Sequence, residues 1–353
     1  MMNVAAFRRR PYCRVDAVIA IVGGYTITKC LEQGDAHCEV SSPKNQLPPG
    51  TTRTDGVSPA PSWFRRNVLL SIGIPLPIPR VLSAHDPALT LSKYLIQRRM
   101  RDEVIVRNLL EQMKPKLAPS QQLSIEDIRA LHERICEATF GKGVTAQMRE
   151  DFLARYGCTG WNDQVLETLM NICDGRGIVE IGAGHGQWAR ALSEAYQQRY
   201  PATKSRKKFD FVLAYDDMSN LPLDTHIYNP YTQPHHHYFG DVYRLDVKNT
   251  ARLLQSWACR GRVLLLVYPP PGDMAIKIVK EYVNAAPEND TVVLVAEGRG
   301  GANGDDALFD FFENGEWVLL QILDVKHPPG DKGYEKMYIL QRREGFKDLR
   351  FEY

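Results

Sequence analysis

Cysteine pairs at metal-binding spacing are missing from this chain. Its seven cysteines are odd in number, widely scattered and nowhere spaced as Cys-x-x-Cys. That excludes a zinc ribbon and argues against a disulfide framework or a disulfide-linked partner, leaving reduced thiols in a reducing compartment. Long apolar runs are missing as well. None approaches the roughly 20 residues that cross a bilayer, so no insertion into a membrane is expected. Charge of one sign is scarce: a net +2 over 353 residues gives no whole-protein field. Contact with nucleic acid would have to come from local patches such as Lys204-Ser-Arg-Lys-Lys208 or Arg98-Arg-Met-Arg101. Acids are absent from the first residues, where Arg8, Arg9, Arg10 and Arg14 precede Asp16. This is the charge bias of a mitochondrial presequence, with a basic tail as the alternative, and the expected location is intracellular, mitochondrial or cytoplasmic.

Hydrophobic periodicity is absent up to about Leu89, where Pro48-Pro-Gly50, Thr54-Asp-Gly56 and Pro75-Leu-Pro-Ile-Pro79 punctuate the chain. Residues 1–89 therefore read as an irregular N-terminal region, with Trp63 to Ile74 the part expected to dock. Residues 90–175 read as a helical subdomain. Tyr94, Leu95, Val104, Leu109, Leu110 and Met113 keep helical spacing up to Pro115. Ser124-Ile-Glu-Asp127 resembles a capping box for a second helix whose face is Ile125, Ile128, Leu131 and Ile135. Thr145 can cap a third helix, through Phe152, and Trp161 to Ile172 forms a fourth.

From residue 176 to 345 strands and helices alternate, and 346–353 is a tail. Gly177 to Ile181 and Phe209 to Tyr215 read as the first two strands, Val263 to Tyr268 and Thr291 to Ala296 are continuous apolar runs, and Gln187 to Tyr200 is a helix. Such runs mark parallel strands covered on both faces. Trp317 to Val325 and Lys336 to Gln341, joined through Pro328-Pro-Gly330, read as a closing hairpin at the sheet edge. The expected fold is α/β: a Rossmann-like open, mostly parallel sheet with an antiparallel C-terminal hairpin strand, preceded by a helical subdomain. Ligands bind such sheets at the carboxyl ends of the strands, where Gly182 to Gly186, Asp216, Pro269 to Gly272 and Glu297 fall.

The chemistry gathers around Ile178-Val-Glu-Ile-Gly-Ala-Gly-His-Gly186, a strand that delivers Glu180 to a Gly-x-Gly-x-Gly turn from which a helix starts. Glycine there permits positive φ and lets a ligand approach the backbone. A dinucleotide turn has the spacing Gly-x-Gly-x-x-Gly and an acid about 20 residues on. Gly186 comes one place too early for that pattern, and the next strand-end acid, Asp216, considerably later. A cofactor without a pyrophosphate fits better.

Over roughly Trp161 to Arg343 the chain resembles the class I S-adenosylmethionine-dependent methyltransferases, and more distantly enzymes that methylate adenine or RNA amino groups. The resemblance rests on order: an acid two residues before the first Gly, a strand before the turn, a helix after it, and an acid at the end of the next strand. It implies S-adenosylmethionine as cofactor. Gly182, Ala183, Gly184 and Gly186 would line the methionine and ribose portion, with Glu180 holding the turn or approaching the ammonium group through water. Asp216, with Asp217 beside it, would accept from the ribose hydroxyls, and Asp241 of Gly240-Asp-Val242 would lie near the adenine amino group.

Val267-Tyr-Pro-Pro-Pro-Gly272 stands where the family places its substrate motif. In amine methylases that motif is a polar residue, two prolines and an aromatic. Tyr268 here occupies the polar position, and no aromatic follows Pro269, Pro270 and Pro271. Either Tyr268 supplies acceptor and stacking surface in a changed geometry, or the substrate is not an amine. The Asn-x-Pro-Tyr motif of ribosomal RNA adenine dimethylases is absent. Three adjacent histidines in Tyr228-Asn-Pro-Tyr-Thr-Gln-Pro-His-His-His-Tyr238 do not make a metal site, because neighbours in extended chain point to opposite sides and no carboxylate or Cys completes a set. They read instead as a rim loop facing substrate, where His235 or His237 can accept a proton. Glu297 in Glu297-Gly-Arg-Gly-Gly301 either orients or deprotonates substrate or forms an ion pair with Arg299.

The expected activity is methyl transfer, with RNA as the substrate class. The alternatives are a methyltransferase-like binding module in a ribonucleoprotein, and a methylase of protein or small molecules.

Overall fold

A computed structural model of the chain describes residues 79–113, 124–173, 175–201, 210–217, 242–331 and 333–343. Among the described residues eight strands form one sheet: β1 (Arg80–Val81), β2 (Ile178–Ile181), β3 (Val212–Asp216), β4 (Val242–Arg244), β5 (Val263–Val267), β6 (Thr291–Ala296), β7 (Trp317–Asp324) and β8 (Lys336–Arg342), in the order β1-β7-β8-β6-β5-β2-β3-β4. Strands β4, β3, β2, β5 and β6 run parallel, while β8 lies antiparallel between β6 and β7. The fold is thus the expected open α/β sheet, mostly parallel with an antiparallel C-terminal hairpin.

Successive residues of the apolar runs point to opposite faces, and both faces are covered. Leu264, Leu266, Val292 and Leu294 join one core with Ile276, Val279, Tyr282, Leu308, Phe309 and Phe312. Val263, Leu265, Val293 and Val295 join the other with Val165, Leu169, Trp188 and Leu192. Helices α4 (Asp163–Ile172) and α5 (Gln187–Arg199) therefore cover one side, and α7 (Met274–Ala285) and α8 (Asp306–Phe312) the other, with α6 (Thr250–Leu254) packed on α7. No face of these central strands meets water, so β5 is apolar throughout and Glu180 is the single charged residue within β2.

The helical region contains α1 (Lys93–Met113), α2 (Ile125–Phe140) and α3 (Ala146–Tyr156) before α4. Thr145 caps α3 as expected, its hydroxyl accepting from the Met148 amide at 3.2 Å. The region merges with the sheet layer: α3 and α4 pack on α5, the Trp188 indole donates to the Thr159 carbonyl at 2.9 Å, and Gly160 bridges to Lys326. The α2 face expected from Ile125, Ile128, Leu131 and Ile135 lies outside the described side chains. On α1, Tyr94 and Val104 are exposed, with Met100 and Ile105.

The structure departs from the sequence reading at both ends of the sheet. The hairpin is not an edge, because β1 pairs with β7 beyond it. That pairing falls inside the region expected to be irregular, and Leu82 and Leu89 there are buried. A buried carboxylate anchors the segment: Asp86 accepts both guanidinium donors of Arg80 at 2.7 and 2.8 Å, which hold its carboxyl well below the usual range. Strand β4 at the other edge was hidden because three residues carry too little pattern. Trp63 to Ile74 and the arginines of residues 1–14 lie outside the described residues.

At the amino edge, one guanidinium gathers three strand entrances. Arg176 donates to the carbonyls of Gly261 (2.7 Å) and Glu288 (3.0 Å), the Thr291 hydroxyl (3.1 Å) and the Asp290 carboxylate (2.8 Å). Replacing Arg176 by Met strands these acceptors in a buried setting, and urea unfolding should show a loss of about 3 kcal/mol. A loss indistinguishable from zero would mean the strand entrances are held by packing alone.

Candidate functional site

The chain leaves β2 toward β3 on one side, whereas β5 and β6 continue on the other, so the carboxyl ends of β2 and β5 sit together at the switch point of the sheet. The turn after β2 and the Tyr268 loop after β5 are side by side there for that reason. Gly182, Gly184 and Gly186 have φ of 78°, 56° and 78°, a region that a side chain disfavours. Gly186 then opens α5 with no side-chain cap.

The turn's own amides are largely committed. Gly182 and Ala183 both donate to the Tyr215 carbonyl, at 2.8 and 3.0 Å, and Gly186 donates to the Ala183 carbonyl at 2.9 Å. Gly184 donates to Asp216 Oδ2 at 2.8 Å. A pyrophosphate needs free amides and a local positive field, and this turn has a carboxylate in the place of both. Behind it stands Glu180, 1% exposed, its Oε2 without a hydrogen-bond partner. Burial first, and then neighbouring Asp216, push the Glu180 carboxyl up to about 8, against which the Ala189 amide pulls. Asp217 is exposed beside Asp216, and His185 is buried within the turn. Asp241, His235 and His237, with the linker Lys204–Lys208 and the aromatic loop, lie outside the described residues.

Tyr268 is half-buried and takes φ of 50°, a left-handed conformation shared among the described non-glycine residues only with His85. Its amide donates to the Val295 carbonyl at 2.8 Å, which fixes where the loop leaves β5. Pro269 is buried and Pro270 half-buried. The Pro269 carbonyl is turned toward the loop after β6, where the Asn303 side-chain amide and the Gly304 amide both donate to it at 3.4 Å. The Pro269 carbonyl is therefore already engaged by the protein.

Glu297 does not form the ion pair with Arg299 that was one of its two readings. It is 4% exposed, paired with Arg99 of α1, and its Oε2 accepts from the Ala302 amide at 2.5 Å. Arg299, the partner expected for it, instead binds Asp310 and Glu313, each at 2.8 Å. Only the fold brings α1 over this loop, so neither reading of Glu297 named the residue that holds it. Sequence reasoning also missed Asn303, 2% exposed, whose Oδ1 accepts from the Glu297 amide at 3.1 Å while its amide reaches Pro269. A single Asn in the glycine-rich run Gly300-Gly-Ala-Asn-Gly304 was the available signal. Met274, at the start of α7, reaches over the turn: its methyl lies 3.2 Å from where a Cβ on Gly182 would stand.

Glu335 is buried near Glu297, ahead of β8, and burial followed by the charge of Glu297 pushes its carboxyl up to about 7, with Arg149 and Arg99 opposing. A group whose folded value lies above its ordinary 4.5 keeps its proton longer in the folded chain, so stability falls as pH rises between about 4.5 and about 7. Glu335→Gln should flatten that fall, and urea unfolding at pH 5 and pH 8 should show it losing on the order of 2 kcal/mol less than the parent. Equal losses would mean Glu335 ionises freely in the fold.

No family model matches this chain, and no curated protein matches it. Among solved structures it is similar to magnesium protoporphyrin IX methyltransferase (ChlM) from Synechocystis PCC 6803. The form with bound SAM is 13% identical, with 68% of this chain and 97% of that chain covered and a TM-score of 0.29. The form with bound SAH is 12% identical, with 68% and 99% covered and a TM-score of 0.30. The mitomycin 7-O-methyltransferase MmcR is 13% identical, with 69% and 68% covered and a TM-score of 0.23. At these identities and TM-scores the likeness carries no argument about ligand or reaction.

Proposed function

We propose that this chain is an S-adenosylmethionine-dependent methyltransferase whose cofactor lies against Gly182, Ala183, Gly184 and Gly186. The observation that carries this reading is the acidic character of the turn: Gly184 is bonded to Asp216, and the buried Glu180 keeps an unpartnered oxygen behind it. Such a turn repels a pyrophosphate and favours a nucleoside that carries positive charge and hydroxyl donors. Asp216, with one oxygen fixed by Gly184, offers its carboxylate to the ribose hydroxyls, and Asp241 is the proposed partner of the adenine amino group. Bound there, S-adenosylmethionine supplies a methyl group already activated by its sulfonium charge.

The protein's own contribution is then alignment and exclusion of water. Tyr268, held left-handed above the β5 end, is the group we assign to the acceptor. Pro269 acts through the loop geometry it shares with Asn303, and Glu297 holds that loop to α1. His237 remains the proposed proton acceptor. RNA is the proposed acceptor class, supported by the basic run Lys204–Lys208 and the aromatic, histidine-rich loop Tyr228–Tyr238.

The engaged Pro269 carbonyl and the sequestered Glu297 favour one second reading, a methyltransferase-like module that binds the cofactor without turnover. Calorimetric titration should show saturable binding of S-adenosylmethionine and none of NAD. A folded protein that binds neither overturns the assignment, and Gly184→Val should abolish the binding. Labelled methyl transfer to separate RNA, protein and metabolite pools should mark RNA. Binding with no pool labelled would establish the second reading. Tyr268→Ala should lower turnover at least tenfold, about 1.4 kcal/mol, with cofactor affinity unchanged.

A further inference from the structure

Glu180 is a buried acid that neither the strand nor the turn neutralises. It sits in β2 between the parallel neighbours β3 and β5, opposite Ala214 and Leu265. From β3, Asp216 bears on it with a charge of the same sign; from α5, the Ala189 amide donates one hydrogen bond. The other titratable groups at the turn are His185, buried within it, and Asp217, exposed beyond it. Among the described residues no Lys or Arg adds to the field at Glu180. Glu180 thus sits in a low-dielectric corner with one amide donor, and the half-buried Asp216 carboxylate, which accepts from Gly184, bears on it.

Such a corner cannot hold two negative charges without a compensating cation, and two remedies exist. A proton on one acid supplies the missing charge when nothing is bound; a cationic ligand supplies it otherwise. Asp216 is the more exposed of the two and is stabilised as a carboxylate by Gly184, whereas Glu180 keeps Oε2 unpartnered and is 1% exposed. The proton therefore belongs on Glu180.

We propose that the glycine turn takes up its cationic ligand in exchange for a proton, which leaves the Glu180 carboxyl for solvent as the positive charge enters beside Glu180 and Asp216. This deepens the methyltransferase reading and rests on it for the identity of the ligand. The push on Glu180 to about 8 agrees with a protonated carboxyl at neutral pH. No covalent bond to the ligand forms or breaks: one proton passes from Glu180 to buffer and one cation takes its place. The exchange lets the turn hold a positively charged adenosyl donor in preference to a neutral nucleoside of the same shape.

The test is calorimetric titration of the full chain with S-adenosylmethionine at pH 6.5, in two buffers of different ionisation enthalpy, with the parent and Glu180→Gln. The parent should release close to one proton per ligand, and its affinity should rise about tenfold between pH 6 and pH 7. Glu180→Gln, which carries no proton to lose, should release none and show affinity independent of pH over that range. Binding by the parent with no proton released overturns the exchange and leaves the cofactor assignment standing. Release that persists in Glu180→Gln moves the proton to another group and overturns it equally. No binding at any pH, with the parent folded, overturns the cofactor assignment and the exchange together. Because the proton count of the parent is decisive by itself, the inference stays falsifiable if Glu180→Gln fails to fold.

Discussion

Burial of the central strands on both faces is the constraint from which the rest of the molecule follows. It forces the apolar runs of β2, β5 and β6, and it places Glu180, the one acid within β2, in a layer that water does not reach. Asp216 ends the neighbouring strand and turns its carboxylate onto the Gly184 amide, so a second negative charge bears on the first. Each glycine of the turn takes a backbone conformation that commits its amides inward, and the face left to a ligand is acidic. An anion-binding turn of similar outline would leave its amides free; here they are used to hold the strand ends together.

The loops at the carboxyl edge form a continuous brace. Arg99 holds Glu297, the Glu297 backbone meets Asn303, and Asn303 reaches the Pro269 carbonyl beside Tyr268. The N-terminal segment enters the same structure, with the Arg299 amide donating to the Leu89 carbonyl, the Leu91 amide donating to the Arg299 carbonyl, and Glu313 receiving the His85 and Asp86 amides as well as Arg299. Residues before the sheet domain thereby help fix loops after it. This chain of contacts ties α1 to the loop bearing Tyr268.

Several parts of the fold were legible because local pattern and tertiary environment agree. Thr291–Ala296 is a strand in the sequence pattern and in the fold, and Gln187–Arg199 follows the glycine turn as its periodicity requires. The Thr145 cap was visible as a hydroxyl ahead of a helical run. The short edge strands β1 and β4 were not visible, since two or three residues carry no period and gain their structure from the neighbouring strand. The hairpin was visible, but its place inside the sheet depends on β1 arriving from more than two hundred residues away in sequence.

By itself the sequence determined the parallel sheet, the glycine turn and the acids that flank it, because continuous apolar runs, positive-φ glycines and strand-end carboxylates are local properties written in residue type and spacing. Only the tertiary structure decided how those acids are used. It set Asp216 on the Gly184 amide, left Glu180 Oε2 unpartnered, gave Glu297 to Arg99 rather than Arg299, and engaged the Pro269 carbonyl through Asn303. The physical reason is that charge pairing and desolvation depend on distances between segments remote in the chain, and no local pattern records them.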